Sequence, residues 1–363
     1  MRFRCSDECV HHVIGITGLR RHINRSLKLG AAERMQLSLA TISVCLALVA
    51  PTAACGHELE HLDSVEWASD HRVAIRTDGE KRIIESNGMP DHKPGQFPNR
   101  GNPNSISEQH YRFEMPVQPT LNNEPMLLRR YLFGVAVNGV VFDPGTAEVW
   151  GPGSKIVSRP GPDTRMKPGV DRSVVWNYDG MGRMNLGIDE NHAHVQPTGA
   201  YHYHGLPTGL IEMLQKQYGN GKMLLIGYAA DGFPIYAEYG HTKAGDASSP
   251  LKKMKSSYQM KKGSRPIGDM GPGDKYDGTF VQDFEFIKAS GDLDVCNGRE
   301  GVTPEYPNGT YYYVVTDSFP FIPRFFRGKP DSSFEKMGPP TPPPGRRGRR
   351  GPPPFPRGRQ LRP

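Results

Sequence analysis

Cysteine is nearly absent: Cys5, Cys9, Cys45, Cys55 and Cys296 are all that 363 residues hold. The first two precede an apolar run and the third lies within it, so removing that run leaves Cys55 and Cys296. Two thiols cannot make a disulfide framework, and the fold must be held by its core. The chain also lacks the Gly-x-Ser-x-Gly elbow, the phosphate-cradling P-loop and the dinucleotide glycine fingerprint. The enzyme classes built on those motifs are set aside.

A basic body is missing too, although the net charge is +7. Residues 1–34 carry seven Lys or Arg against three acids, and residues 341–363 carry seven Arg and no acid. What lies between has 31 bases against 35 acids, a net of −4. A mildly acidic centre is no polyanion-binding surface, so no nucleic-acid partner is expected. The Arg-rich end, by contrast, suits contact with an anionic cell surface. No protein partner can be inferred.

Met35 to Ala54 carries no charge and is followed by small residues. Residues 35–55 read as a signal peptide, which implies an exported protein: periplasmic, surface-bound or secreted. Thr52-Ala53-Ala54-Cys55 resembles a lipobox, making Cys55 a candidate lipoprotein anchor. The 34 residues before Met35 read as an extension or an over-long start. Residues 56–109 form a polar N-terminal region, 110–330 the main domain, and 331–363 a Pro/Arg-rich segment whose composition reads as disordered.

Gly 42 and Pro 34 make up about a fifth of the chain, which suits many short strands and turns. Strands are expected at His71 to Ile75, Lys81 to Glu85, Tyr111 to Met115, Tyr131 to Asn138, Val140 to Phe142, Glu148 to Trp150, Val174 to Tyr178, Leu224 to Ala229, Phe233 to Tyr236, Thr279 to Ile287 and Thr310 to Thr316. One short helix is expected at Leu210 to Tyr218, stopped by Gly219. The fold class is mainly β: an antiparallel sandwich or barrel-like domain with a few short helices, built around two related β-hairpin segments.

The first of those segments reads NHAHVQPTGAYHYHG, Asn191 to Gly205, and holds His192, His194, His202 and His204. Residues two apart on a strand share a face. Pro197 and Thr198 suit the corners of a type I turn and Gly199 the left-handed residue that closes a three-residue loop. That loop sets His194 opposite His202 and His192 opposite His204, so four imidazoles converge, while Tyr201 and Tyr203 turn to the core. Glu190 falls on the same face by alternation, and Asp189 could orient a ring from behind. The second segment, DVCNGREGVTPEYPNGTYYYVVTD, aligns on Gly309 with Gly199, which matches His202 with Tyr312 and His204 with Val314. It lacks the histidines.

These stretches, with FGVAVNGVVFDPGTAEVW and LLIGYAADGFPIYAEYG, resemble the YHYH-domain family of exported proteins, whose name stands here as Tyr201-His202-Tyr203-His204. The resemblance covers about residues 110 to 330. It implies a domain boundary and an exported setting but no reaction, and Tyr312 stands where some relatives are expected to have histidine.

Neutral imidazoles suit Cu or Zn. The site residues expected are therefore His192, His194, His202 and His204, with Glu190 and Asp189 as additional or supporting groups. Two classes stay open: a protein that holds a transition metal, and a metal-dependent enzyme that activates water or oxygen, as His-x-His with a third His on the neighbouring strand does in β-rich carbonic anhydrases. A binding module without metal, its histidines in a hydrogen-bonded aromatic ladder, is the plainest alternative. Cys296, Met181 and Met184 could add soft copper ligands, though burial in the core is the commoner fate of such residues.

Overall fold

The computed structural model describes residues 70–336. The apolar run, Cys55, the segment before Met35 and the Pro/Arg-rich stretch after residue 336 lie outside the described residues. β1 (Val73–Asp78), β2 (Lys81–Ser86) and β3 (Tyr111–Pro116) make a three-stranded antiparallel sheet. β4 (Met126–Leu127) pairs with β19 (Phe325–Phe326), and β7 (Val149–Trp150) with β8 (Trp176–Asn177). The main sheet is assembled from two hairpins in the first half, β5 (Gly134–Ala136) with β6 (Val141–Phe142) and β9 (Ala193–Val195) with β10 (Tyr201–Tyr203). Two more come from the second half, β11 (Leu225–Ala229) with β12 (Pro234–Tyr236) and β17 (Gly298–Gly301) with β18 (Thr310–Val314). Small ribbons, β13 (Tyr239–His241) with β14 (Leu251–Lys253) and β15 (Tyr258–Met260) with β16 (Phe284–Phe286), decorate the second half. The one α-helix among the described residues, α1 (Thr208–Tyr218), buries Leu210 and Leu214 and stops at Gly219.

The eight-stranded sheet runs β17-β18-β12-β11-β5-β6-β10-β9 and curls into a half-barrel. Its order reads the same from either end once each strand is matched with its counterpart in the other half. At the centre Gly134 pairs with Ala229, Val135 with Tyr228 and Ala136 with Gly227, a register symmetric about the middle pair. A Cβ on Gly134 would strike the Tyr228 carbonyl and one on Gly227 the Val135 carbonyl, so both halves meet backbone to backbone. The two outer hairpins each attach by a parallel pairing, β10 on β6 and β18 on β12. The sheet is thus mixed rather than purely antiparallel, because each outer hairpin returns after a long excursion and not by a tight turn.

One core joins these pieces: Ile84, Phe113, Phe133, Val135, Phe142, Tyr201, Tyr203, Tyr311, Tyr313 and Phe334 are all buried within it. Polar residues 87–104 are irregular, as their Pro, Gly and Asn content predicts, yet many are buried. Asn102 and Asn104 donate their side-chain amides to the Val195 carbonyl, 2.8 Å each, closing the outer edge of β9.

Candidate metal centre

The β9–β10 turn forms as its sequence predicts. Gln196 N–H donates to the Ala200 carbonyl and Gly199 N–H to the Gln196 carbonyl, leaving Pro197, Thr198 and Gly199 as a three-residue loop with Gly199 at φ 87°. His202 consequently pairs with His194 and Tyr203 with Ala193, and His204 N–H donates to the His192 carbonyl at 2.7 Å. Tyr201 and Tyr203 are fully buried on the core side, where the Tyr203 hydroxyl meets His92 Nε2 at 2.7 Å and Asn138 Nδ2 at 3.0 Å.

On the opposite face three imidazoles converge. His204 Nε2 lies 3.0 Å from His202 Nε2 and 3.1 Å from His194 Nε2. His194, His202 and His204 are the one group of three or more His, Cys, Asp or Glu side chains among the described residues whose ligand atoms come within 4.8 Å of one another. His202 and His204 are buried and His194 is partly exposed.

The protons can be placed for two of the rings. His194 Nδ1 faces the Leu186 carbonyl at 3.0 Å and His202 Nδ1 the Ala200 carbonyl at 3.2 Å. A carbonyl only accepts, so each Nδ1 carries the hydrogen and each Nε2 presents a bare lone pair to the cluster. His204 Nδ1 is buried with no partner among the described residues. Its ring lies against the backbone of Gly180, where any Cβ would collide with Nδ1. Burial pushes the pKa of all three histidines down, and for His202 and His204 the push is strong and reinforced by the neighbouring imidazoles. Neutral rings, lone pairs inward, are the state this environment favours.

The fourth histidine is placed elsewhere. His192 precedes β9 with φ 54°, and its Nδ1 donates to the Leu206 carbonyl at 2.8 Å. Alternation does not reach it, because the Asp189 carboxylate gathers the Asn191 and Ala193 N–H groups into a turn that takes residue 192 out of extended geometry. Asp189 also accepts from the Tyr201 hydroxyl at 2.6 Å and from Gly95 N–H at 2.9 Å, so it braces the core side of the hairpin and does not touch the imidazoles. Glu190 is exposed and stands outside the group of three. Met184 packs with Trp150 and Tyr178. Cys296 is a buried core thiol whose pKa burial pushes up, outside the group of three.

Several neighbours carried no signal in the His stretch itself. Parallel pairing of Val141 with His202 and Phe142 with Tyr203 brings Asp143 beside His204, on the face away from the packed Phe142 and Tyr203 rings. Asp143 accepts from Gln196 Nε2 at 3.2 Å and from Lys336 Nζ at 2.6 Å. Arg324 donates to the Pro144 carbonyl and to Asp179 at 2.7 Å, immediately before Gly180. Asp143 lies within the FGVAVNGVVFDPGTAEVW stretch, but nothing in that stretch says where its carboxylate lands.

The family model described as YHYH protein matches residues 112–328. The chain belongs to the YHYH family. Neither curated proteins nor solved structures yield a match. The YHYH signature thereby acquires a structural meaning in this chain: its two tyrosines are core, hydrogen-bonded through their hydroxyls, and its two histidines supply two corners of the imidazole triad.

Proposed function

We propose that this YHYH domain binds one transition-metal ion, zinc or copper, through Nε2 of His194, His202 and His204. The observation that carries the reading is the pair of bare lone pairs on His194 and His202 aimed at the third ring in a buried site. Imidazole nitrogens around a tetrahedral zinc at about 2.05 Å stand about 3.3 Å apart, close to the separations of 3.0 and 3.1 Å from His204. Without an ion, one hydrogen shared from His204 Nε2 can satisfy only part of the cluster, and an unpaired buried nitrogen costs about 1–3 kcal/mol. Backbone carbonyls already orient two of the rings through Nδ1, the support a ligating histidine ordinarily has. Three ligands leave a position for water or another ligand on the His194 side. An exported setting, read from residues 35–55, would expose the protein to both metals.

The test is elemental analysis of protein purified from its own compartment, with zinc and copper uptake by the apo protein. About one equivalent per chain is expected, falling below about a tenth in His202→Ala. Wild-type protein that contains no transition metal and takes up none would sink the reading.

A further inference from the structure

Three neutral imidazoles bring no negative charge to a divalent ion, so the +2 of the metal must be balanced from elsewhere in a site that is largely closed to water. The neighbouring carboxylates do not ligate the ion: Glu148, partly exposed and acting on His194, stands outside the group of converging ligand atoms. Asp143 is already engaged by Lys336 and Gln196, and the buried Asp179 by Arg324. Both acids are thus neutralised by cations that arrive from the far end of the described chain, and neither belongs to the group of converging ligand atoms. Lys336 keeps 31% of its side chain exposed and gives Asp143 one of its three hydrogens. Arg324 holds a buried Nε–H without a partner among the described residues. The surroundings of the triad therefore contain hydrogen-bond donors with capacity to spare, and the two buried acids beside it, Asp143 and Asp179, are committed to cations.

Resting on the metal reading above, we infer that the open coordination position takes a small oxyanion, such as a carboxylate, and that Lys336 is the side chain that selects it. The ligand enters past partly exposed His194, places one oxygen on the metal and presents a second to the Lys336 ammonium. Asp143 holds that ammonium through Oδ1: its own N–H bonds the Tyr203 carbonyl at 3.0 Å, next to His204, and Gln196, which follows His194 on the hairpin, donates to its Oδ2. Lys336 is in turn fixed by its backbone N–H, which donates to the Arg130 carbonyl at 2.8 Å.

The experiment uses the full chain loaded with Co(II), whose visible spectrum reports a change of ligand, titrated with acetate and with inorganic phosphate. Metal content is measured first in every variant. Acetate should alter the wild-type spectrum saturably. In Lys336→Met its dissociation constant should rise about fivefold, the loss expected of one charge-assisted hydrogen bond at a partly exposed site, with Co(II) content unchanged. Lys336→Arg should restore most of the affinity, and Lys243→Met, an exposed lysine bound only to its own loop, should match wild type. Phosphate tighter than acetate would place the ligand among larger oxyanions and keep Lys336 in its role. Acetate affinity unchanged in Lys336→Met, or a Co(II) spectrum indifferent to both anions, would overturn the inference while leaving the metal site standing. Failure to load Co(II) at all removes both.

Discussion

The outer hairpins β9–β10 and β17–β18 sit at mirrored places in one sheet and differ in what they carry. Each is preceded by an aspartate whose carboxylate gathers two N–H groups: Asp189 those of Asn191 and Ala193, Asp294 those of Cys296 and Gly298. Each aspartate also accepts a tyrosine hydroxyl, from Tyr201 and from Tyr311. Each has a non-glycine residue at positive φ just before the strand, His192 at 54° and Asn297 at 52°. The inner tyrosines match as well, Tyr203 on Asn138 and Tyr313 on Asp231. Where the first hairpin has His194, His202 and His204, the second has Arg299, Tyr312 and Val314, and Arg299 Nε–H donates to the Tyr312 hydroxyl at 2.6 Å. The scaffold of tyrosines and aspartates is therefore common to both, while the outward face is free to vary. A cluster of three imidazoles in one hairpin and a closed hydrogen-bonded pair in the other follow from three side chains on the same backbone.

The sharpest way to break the comparison is to give the first hairpin a residue of the second. His204→Val should abolish metal retention, taking elemental content from about one equivalent to below about a tenth, whereas Tyr312→Phe should leave it unchanged. Gly180→Ala should follow closely, because the added methyl displaces the His204 ring. A loss of about tenfold or more in zinc affinity, measured by competition with a chromophoric chelator, is expected from a misplaced ligand. Equal affinity would mean His204 is not held where the triad requires it.

The inner tyrosines give a smaller contrast, read in urea. Tyr313→Phe removes a donor from the buried Asp231 carboxylate and an acceptor from Arg327 N–H, and should cost about 2–3 kcal/mol. Tyr203→Phe removes neutral contacts with Asn138 and His92 and should cost about 1 kcal/mol. Equal costs would show that the charge at 231 is not what separates the halves.

That charge also has a pH signature. Burial pushes Asp231 up to about 6 from 3.8, although the Tyr313 hydroxyl and the Gly328 N–H oppose the rise. Its folded pKa is the higher one, so its contribution to stability is complete below about pH 4 and is lost as pH rises through about 6. The full effect is bounded at about 3 kcal/mol by 1.36 kcal/mol per unit. Asp231→Asn, which puts the residue of position 138 into the second half, should flatten the urea midpoint between pH 4 and 6.5. An unchanged slope would assign that pH dependence to another group.

Much of this was legible in the chain. Pro197-Thr198-Gly199 is a local instruction, since proline and glycine fix their own dihedrals, and it set the His194–His202 register without help from elsewhere. Apolar alternation located most strands, and the likeness of the two hairpin segments anticipated a related pair. The four-histidine face was not the one that formed, because alternation was carried one residue too far, through a turn that the Asp189 carboxylate bends. The buried loop at 87–104 was hidden because its amide side chains do what apolar residues do elsewhere, filling and satisfying an interior.

The sequence by itself determined the turn, its register and the division of the YHYH signature into core tyrosines and outward histidines, since those depend on neighbouring dihedrals and a period of two. Only the tertiary structure decided which histidines meet, what presses on His204 and which charges stand beside it. Gly180, Asp143, Arg324 and Lys336 reach the triad from separate parts of the chain, through parallel strand pairing and the closure of the described chain's far end over the sheet. No local rule encodes such meetings, because they are fixed by the packing of the whole core.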